Sequence, residues 1–119
     1  MSIDSLLPKW TTEFKKGYSK PLILFALAKV EKSYAYLLTK KILELTKGEI
    51  SIAGSNIYPM LAKLEEDNLI ASQLDESDRK FYLLTQKGKE FLGKLEIEIQ
   101  KFNSSMHEII NPNQSHGDM

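Results

Sequence analysis

The 119-residue chain contains no cysteine. That removes a disulfide framework and a thiol nucleophile together. Its two histidines, His107 and His116, stand near the end without ligand-spaced partners, so no metal site and no cofactor is expected. No apolar run reaches the ~20 residues that cross a bilayer. No leader of the charged-then-apolar kind opens the chain. These absences set the expectation of a cytoplasmic protein without a membrane partner. Phosphate-cradling and dinucleotide glycine patterns and the His-Glu-x-x-His motif are also missing, so an enzyme is not expected. Formal net charge is zero, with 16 basic against 16 acidic residues, whereas nucleic-acid binders are often basic overall. Distribution softens that objection. Lysines crowd the first half, and local potential decides where a phosphate settles.

What is present is an ordinary globular composition, 42% hydrophobic and 27% charged, in a length suited to one domain. Ser5 is read as the cap of a first helix, with Pro8 in its first turn and Gly17 as its stop. Leu6, Leu7, Trp10 and Phe14 form its apolar stripe, which needs a partner subunit or the C-terminal helix as cover. A second helix runs from Ser19 and Pro21 to about Lys32, apolar on most sides. Ser33 is read as the cap of a third helix ending at Gly48, with Leu38, Ile42 and Leu45 inward. Lys40, Lys41 and Lys47 then face outward, either solvated or against a phosphate backbone. Alternation over Glu49–Ala53 suits a brief strand beside a hairpin.

Gly54 to Leu84 organises the rest. Ile57, Met60, Leu61 and Leu64 make one buried stripe of a helix. The other side offers Ser55, Asn56, Tyr58, Pro59, Ala62 and Lys63, groups able to approach a base edge or a phosphate. Pro59 requires the helix to start shortly before it, and loses one backbone bond unless Asn56 is the cap. Asn68 is read as the left-handed stop. Two alternating strands follow, around a polar tip at Glu76-Ser77-Asp78.

Thr85 caps the last helix. Gly88 stands at its third position, so the reciprocal glutamate or glutamine cap is absent. Lys87 and Lys89 stand in its first turn, where a bound phosphate would offset the unfavourable dipole. Leu92, Leu95, Ile99, Phe102, Met106 and Ile109 then step by three and four, a coiled-coil seam that points to a second copy of the chain. The polar tail is expected to be disordered. The expected divisions are 1–18 (N-terminal helix, dimer contact), 19–84 (DNA-binding domain), 85–110 (dimerisation helix) and 111–119 (tail).

The run Ser55-Asn56-Ile57-Tyr58-Pro59-Met60-Leu61-Ala62-Lys63-Leu64-Glu65-Glu66-Asp67-Asn68-Leu69-Ile70 resembles the PadR family of transcriptional regulators, whose pattern is roughly Gly-Thr-Leu-Tyr-Pro-Leu-Leu, two variable residues, Leu-Glu, two variable residues, Gly-Leu-Ile. Arg79-Lys80-Phe81-Tyr82-Leu83-Leu84-Thr85 and Lys87-Gly88 are similar to its Arg-Arg-Tyr-Tyr-x-Leu-Thr-x-x-Gly, and Pro21 to Val30 resembles its first core helix. The likeness spans about residues 20 to 92. Departures are Ser33-Tyr34-Ala35, where an acidic residue is usual, Asn68 in place of glycine, an acidic wing tip, and Arg79 as the single arginine.

The resemblance implies a mainly α fold with a small β-hairpin, a winged helix-turn-helix with N- and C-terminal dimerisation helices, of the short form with one C-terminal helix. It implies a homodimeric repressor of double-stranded DNA, with a recognition helix at about 55–68 in the major groove and a wing at about 75–80 near the minor groove. Ser55, Asn56, Tyr58 and Lys63 would be groove or phosphate contacts, with Tyr58 alternatively half-buried at the stripe's edge. Arg79 and Lys80 would be wing contacts, and Lys40, Lys41 and Lys87 complete the DNA-binding set. The dimer interface would draw on Leu7, Trp10, Phe14, Leu92, Leu95, Ile99, Phe102 and Met106. A hydrophobic small-molecule effector would bind near Trp10, Phe14 and Phe102. The alternative is a winged-helix protein–protein interaction module that does not bind DNA.

Overall fold

The computed structural model describes residues 1–112. Its elements run α1 (Ile3–Lys15), a 3-10 turn (Lys16–Tyr18), α2 (Ser19–Val30), β1 (Lys32–Tyr34), α3 (Ala35–Leu45), α4 (Gly54–Glu66), β2 (Ile70–Leu74), β3 (Lys80–Leu84) and α5 (Gln86–Ile110). The fold is mostly helical with one three-stranded antiparallel sheet, ordered β1-β3-β2. His116 and most of the expected tail lie outside the described residues.

The core is where the sequence periodicity puts it. Ile23, Leu24, Ala26 and Leu27 of α2, Leu38 and Ile42 of α3, and Ile57, Leu61 and Leu64 of α4 are buried together. The sheet closes one side with Ile70, Tyr82 and Leu84. In α3 the inward step after Ile42 lands on Thr46, not on Leu45, which is 37% exposed. Thr46 uses its hydroxyl to accept from the Ile50 amide, fixing the turn between α3 and α4.

Several local readings are corrected. Ser33 does not cap α3: it lies in the strand before it, its hydroxyl donates to the Tyr34 carbonyl, and no side chain caps the helix. The third strand is Lys32–Tyr34, not Glu49–Ala53. Three residues are too few to show alternation, and the strand exists because Ser33 pairs with Tyr82 and Tyr34 with Phe81 across the sheet. Within Glu49–Ala53, Ile52 is buried and Ile50 packs on the core, so the alternation there comes from two anchors in an irregular turn. Ser2, not Ser5, caps α1, its side chain accepting from the Ser5 amide, and Pro8 lies inside the helix.

Helix ends are set by side-chain and backbone bonds. Asn68 sits at φ 61°. The Leu69 amide donates to the Leu64 carbonyl and the Asn68 amide to that of Glu65, so α4 ends in a left-handed cap with Leu69 packed under it. The Thr85 hydroxyl accepts from the Gly88 amide and donates to the Asn68 carbonyl. One residue thus joins the start of α5 to the end of α4.

Two segments leave the compact part. The radius of gyration is 17.2 Å, against about 13.5 Å for a compact chain of this length. No residue of α1 is buried, and every residue of α5 from Lys101 onward is exposed.

Candidate nucleic-acid interface

α4 presents two unlike faces. Ile57, Leu61 and Leu64 anchor one in the core, and Ser55, Asn56, Tyr58, Pro59, Ala62 and Lys63 stand on the other, exposed. Ala53 precedes the helix and no side chain caps it, so the first amides are available at the positive end of the helix dipole. With Ala53 as cap, Pro59 lies inside the helix and offers no N–H to the Ser55 carbonyl one turn back. Tyr58 is 58% exposed, which decides its two readings for the surface.

Beside this face lies a cleft of about 390 Å³, lined by Tyr34, Ala35, Tyr36, Tyr58, Arg79, Lys80 and Tyr82. Four of the five tyrosines and the single arginine meet there. They come from β1, the head of α3, α4 and the wing, so only the folded chain assembles them. Tyr34 and Tyr36 stack with centroids 6.3 Å apart. Tyr36 is 50% exposed, and the Lys40 ammonium lies 5.8 Å from its ring centroid, at the cleft's flank. Tyr82 is buried against the core, and burial, then Glu65, then Tyr58 raise its phenol pKa. Tyr36, exposed on the same cleft, was not singled out from the sequence. The one signal was the Tyr-Ala-Tyr spacing at a helix start.

The cations are held differently from one another. Lys63 pairs with Asp67 at 3.3 Å along α4, and Lys41 with Glu44 at 3.3 Å along α3. Lys80 lies 3.8 Å from Glu65. Glu65 also accepts from the Ser72 hydroxyl, so this carboxylate ties α4 to β2. Lys87 does not stand free: its ammonium donates to the Asp67 carbonyl at 2.8 Å, at the end of α4.

Arg79, with its side chain 59% exposed, has a ring and a carboxylate as partners. Its guanidinium carbon lies 4.5 Å from the Tyr34 ring centroid and its Nε 3.5 Å from the Asp75 carboxylate. Asp75 in turn accepts from the Tyr34 hydroxyl, the Ser77 and Arg79 amides and Arg79 Nε. The Tyr34 hydrogen bond above all, then the Arg79 amide, holds its carboxyl down at about 2 against some desolvation. Tyr34 and then Asp75 push the Arg79 pKa up. With Asp78 at φ 61°, the tip is a three-residue hairpin loop closed by an aspartate side chain.

The expected interface residues divide into two groups. Leu92 is 9% exposed, and Leu95 packs against the same core. Both serve the chain's own interior, because the start of α5 lies over α2 and β3; Leu92 is thereby removed from the seam. Leu7, Trp10, Phe14, Phe102 and Met106 stand exposed, and Ile99 is half-buried. Trp10, Phe14 and Phe102, the expected effector positions, are each more than half exposed on helices that do not cover them.

Comparison with known proteins adds a lineage to this geometry. Residues 23–94 match the family model described as the transcriptional regulator PadR-like family. The chain is 34% identical over 79 residues to the transcriptional regulator YqjI of Escherichia coli, covering 66% of this chain and 38% of that protein. It thus spans about 38% of the length of the curated relatives it matches. A PadR family transcriptional regulator from Eggerthella lenta superposes with a TM-score of 0.76 at 27% identity, covering 92% of this chain and 93% of that one. A winged-helix DNA-binding protein from STIV shares the fold, with a TM-score of 0.61 at 24% identity over 74% of this chain and 91% of that one.

Proposed function

The chain belongs to the PadR-like family of transcriptional regulators, and from that premise we propose that it is a homodimeric, DNA-binding repressor acting in the cytoplasm. The observation that carries this reading is the exposed face of α4. Ser55, Asn56, Tyr58 and Lys63 lie open to solvent on a helix whose opposite face is locked in the core. A helix held that way can enter a major groove without disturbing the fold. Tyr36, Lys40 and Lys80 flank it around the cleft and serve the adjacent phosphates. The exposed stripes on α1 and the outer half of α5 join two copies, so that two α4 helices reach successive grooves.

A second reading has its own support. Lys41, Lys63 and Lys80 lie near carboxylates, and the wing tip is acidic. A winged helix serving only as a protein-interaction module fits that pattern. Pairs this exposed contribute only about 0–1 kcal/mol, however, so exchange of a carboxylate for a phosphate faces little barrier.

Titrating the chain against a random-sequence duplex at several salt concentrations separates the two. The regulator binds with an affinity that falls steeply with salt, and Lys63→Gln lowers the log–log slope by about 0.9 per protomer. No retention at low salt, or binding indifferent to salt, would refute it and favour the interaction module. Selecting bound duplexes from a random pool would then give the half-site sequence and spacing.

A further inference from the structure

We propose that Tyr34, Asp75 and Arg79 form a clamp that fixes the wing to the head of α3, making Arg79 a positioning residue and leaving Lys80 as the wing's phosphate contact. The consequence for affinity rests on the DNA-binding reading; the clamp itself does not. Arg79 is the single arginine, and its place in the wing makes it the obvious cation to reach forward. Its surroundings argue otherwise. Lys63 has one exposed carboxylate nearby, and the contacts of Lys80 are longer than those of Arg79, 3.8 Å to the part-buried Glu65 carboxylate and 5.7 Å to the Tyr82 ring centroid. The Arg79 guanidinium lies over the Tyr34 ring and also meets Asp75. Asp75 is only 22% exposed and its two oxygens take four donors. Releasing Arg79 would strip the ring of its cation and the carboxylate of a partner together.

Placement points the same way. Tyr34 ends β1 and leads directly into α3, so its hydroxyl on Asp75 joins the helix-turn-helix to the loop between β2 and β3. On the other side Ser72 on Glu65 joins β2 to α4. The wing is thus strutted from both helices. The tip carries exposed Glu76 and Asp78, whose charge repels a phosphate backbone. Contact is left to the base of the wing, where Arg79 and Lys80 both border the cleft and Arg79 is taken up by Tyr34 and Asp75.

The test uses the 119-residue chain, a random-sequence duplex and amide hydrogen exchange. Tyr34→Phe keeps the ring and removes the hydroxyl. It should weaken binding about three- to tenfold with the salt slope unchanged, and speed exchange at the Ser77 and Arg79 amides several-fold without touching the Leu24 and Leu27 amides. Arg79→Gln should do the same. Lys80→Gln should lower the slope by about 0.9 per protomer. Its effect on affinity should shrink in the Tyr34→Phe background, a coupling that general destabilisation would not produce. A slope reduced by Arg79→Gln, or wing amides indifferent to Tyr34→Phe, would overturn the clamp. If the unmodified chain fails to bind duplex, the regulator reading falls, and the exchange measurement alone still decides the clamp.

Discussion

Gly88→Ala should damage this protein more than any other glycine-to-alanine change in α5. A Cβ at position 88 would stand 2.0 Å from the Leu69 carbonyl oxygen and 3.0 Å from its carbon. Ordinary carbon–oxygen contacts lie near about 3.3 Å, so the two backbones would have to part by about 1.3 Å. The obstacle is main chain inside the left-handed cap of α4, which cannot swing aside as a flexible side chain would. Overpacking of this kind costs about 3 kcal/mol at the upper end. Loss of the Thr85 cap, whose hydroxyl accepts from the Gly88 amide, adds about 1 kcal/mol. Better helix propensity returns about 1 kcal/mol. The net expectation is about 3 kcal/mol, or a melting temperature lower by about 10 °C. Gly93→Ala in the same helix is the control. Nothing lies within 4 Å of its added carbon, so it should stabilise by about 0.5–1 kcal/mol. Urea unfolding at one fixed protomer concentration reads both, since association of two copies would make apparent stability concentration-dependent. A Gly88→Ala midpoint equal to or above that of the unmodified chain would refute the close approach.

Three further outcomes follow from other contacts. Thr85→Ala removes the cap of α5 and the bond to the Asn68 carbonyl, and should cost about 1–2 kcal/mol in the same urea assay. Phe102→Asp and Ile109→Asp alter residues 56% and 73% exposed; sedimentation should show monomers with an intact fold, and an unchanged dimer mass would remove the outer half of α5 from the interface. Asp75 has its carboxyl depressed from 3.8 to about 2. Its ionised form therefore stabilises the fold fully above about pH 4, and that contribution drains away as pH falls toward about 2. The gap in urea midpoint between the unmodified chain and Asp75→Asn should be widest near neutrality and narrow across that window. A gap that stays constant would mean the carboxylate charge is not what holds the turn.

The core was legible because its signals are local. The stripe Ile57, Leu61, Leu64, the left-handed Asn68 and the cap at Thr85 each follow from side-chain spacing or backbone chemistry within a few residues. Folding changed none of them. The exposed face of α4 followed from the same periodicity. Where the sequence misled, a distant partner made the decision. Lys32–Tyr34 is a strand because β3 lies beside it. Leu92 belongs to the chain's own core and not to a seam because α5 begins over α2 and β3. A heptad pattern carries no mark of which of its turns still has the parent domain beneath it. Gly88, read as a missing cap partner, is required by a backbone approach from the far end of another helix.

The presence of helices α1 to α5, the buried face of α4 and the family likeness were thus legible in the order of residues alone, since each depends on spacing along one segment. The convergence of four tyrosines on one cleft, the capture of Arg79 by Asp75 and Tyr34, and the engagement of Lys87 by the end of α4 were decided only in three dimensions. Those contacts join residues far apart in the chain, and whether a cation is free or held depends on what the fold sets beside it.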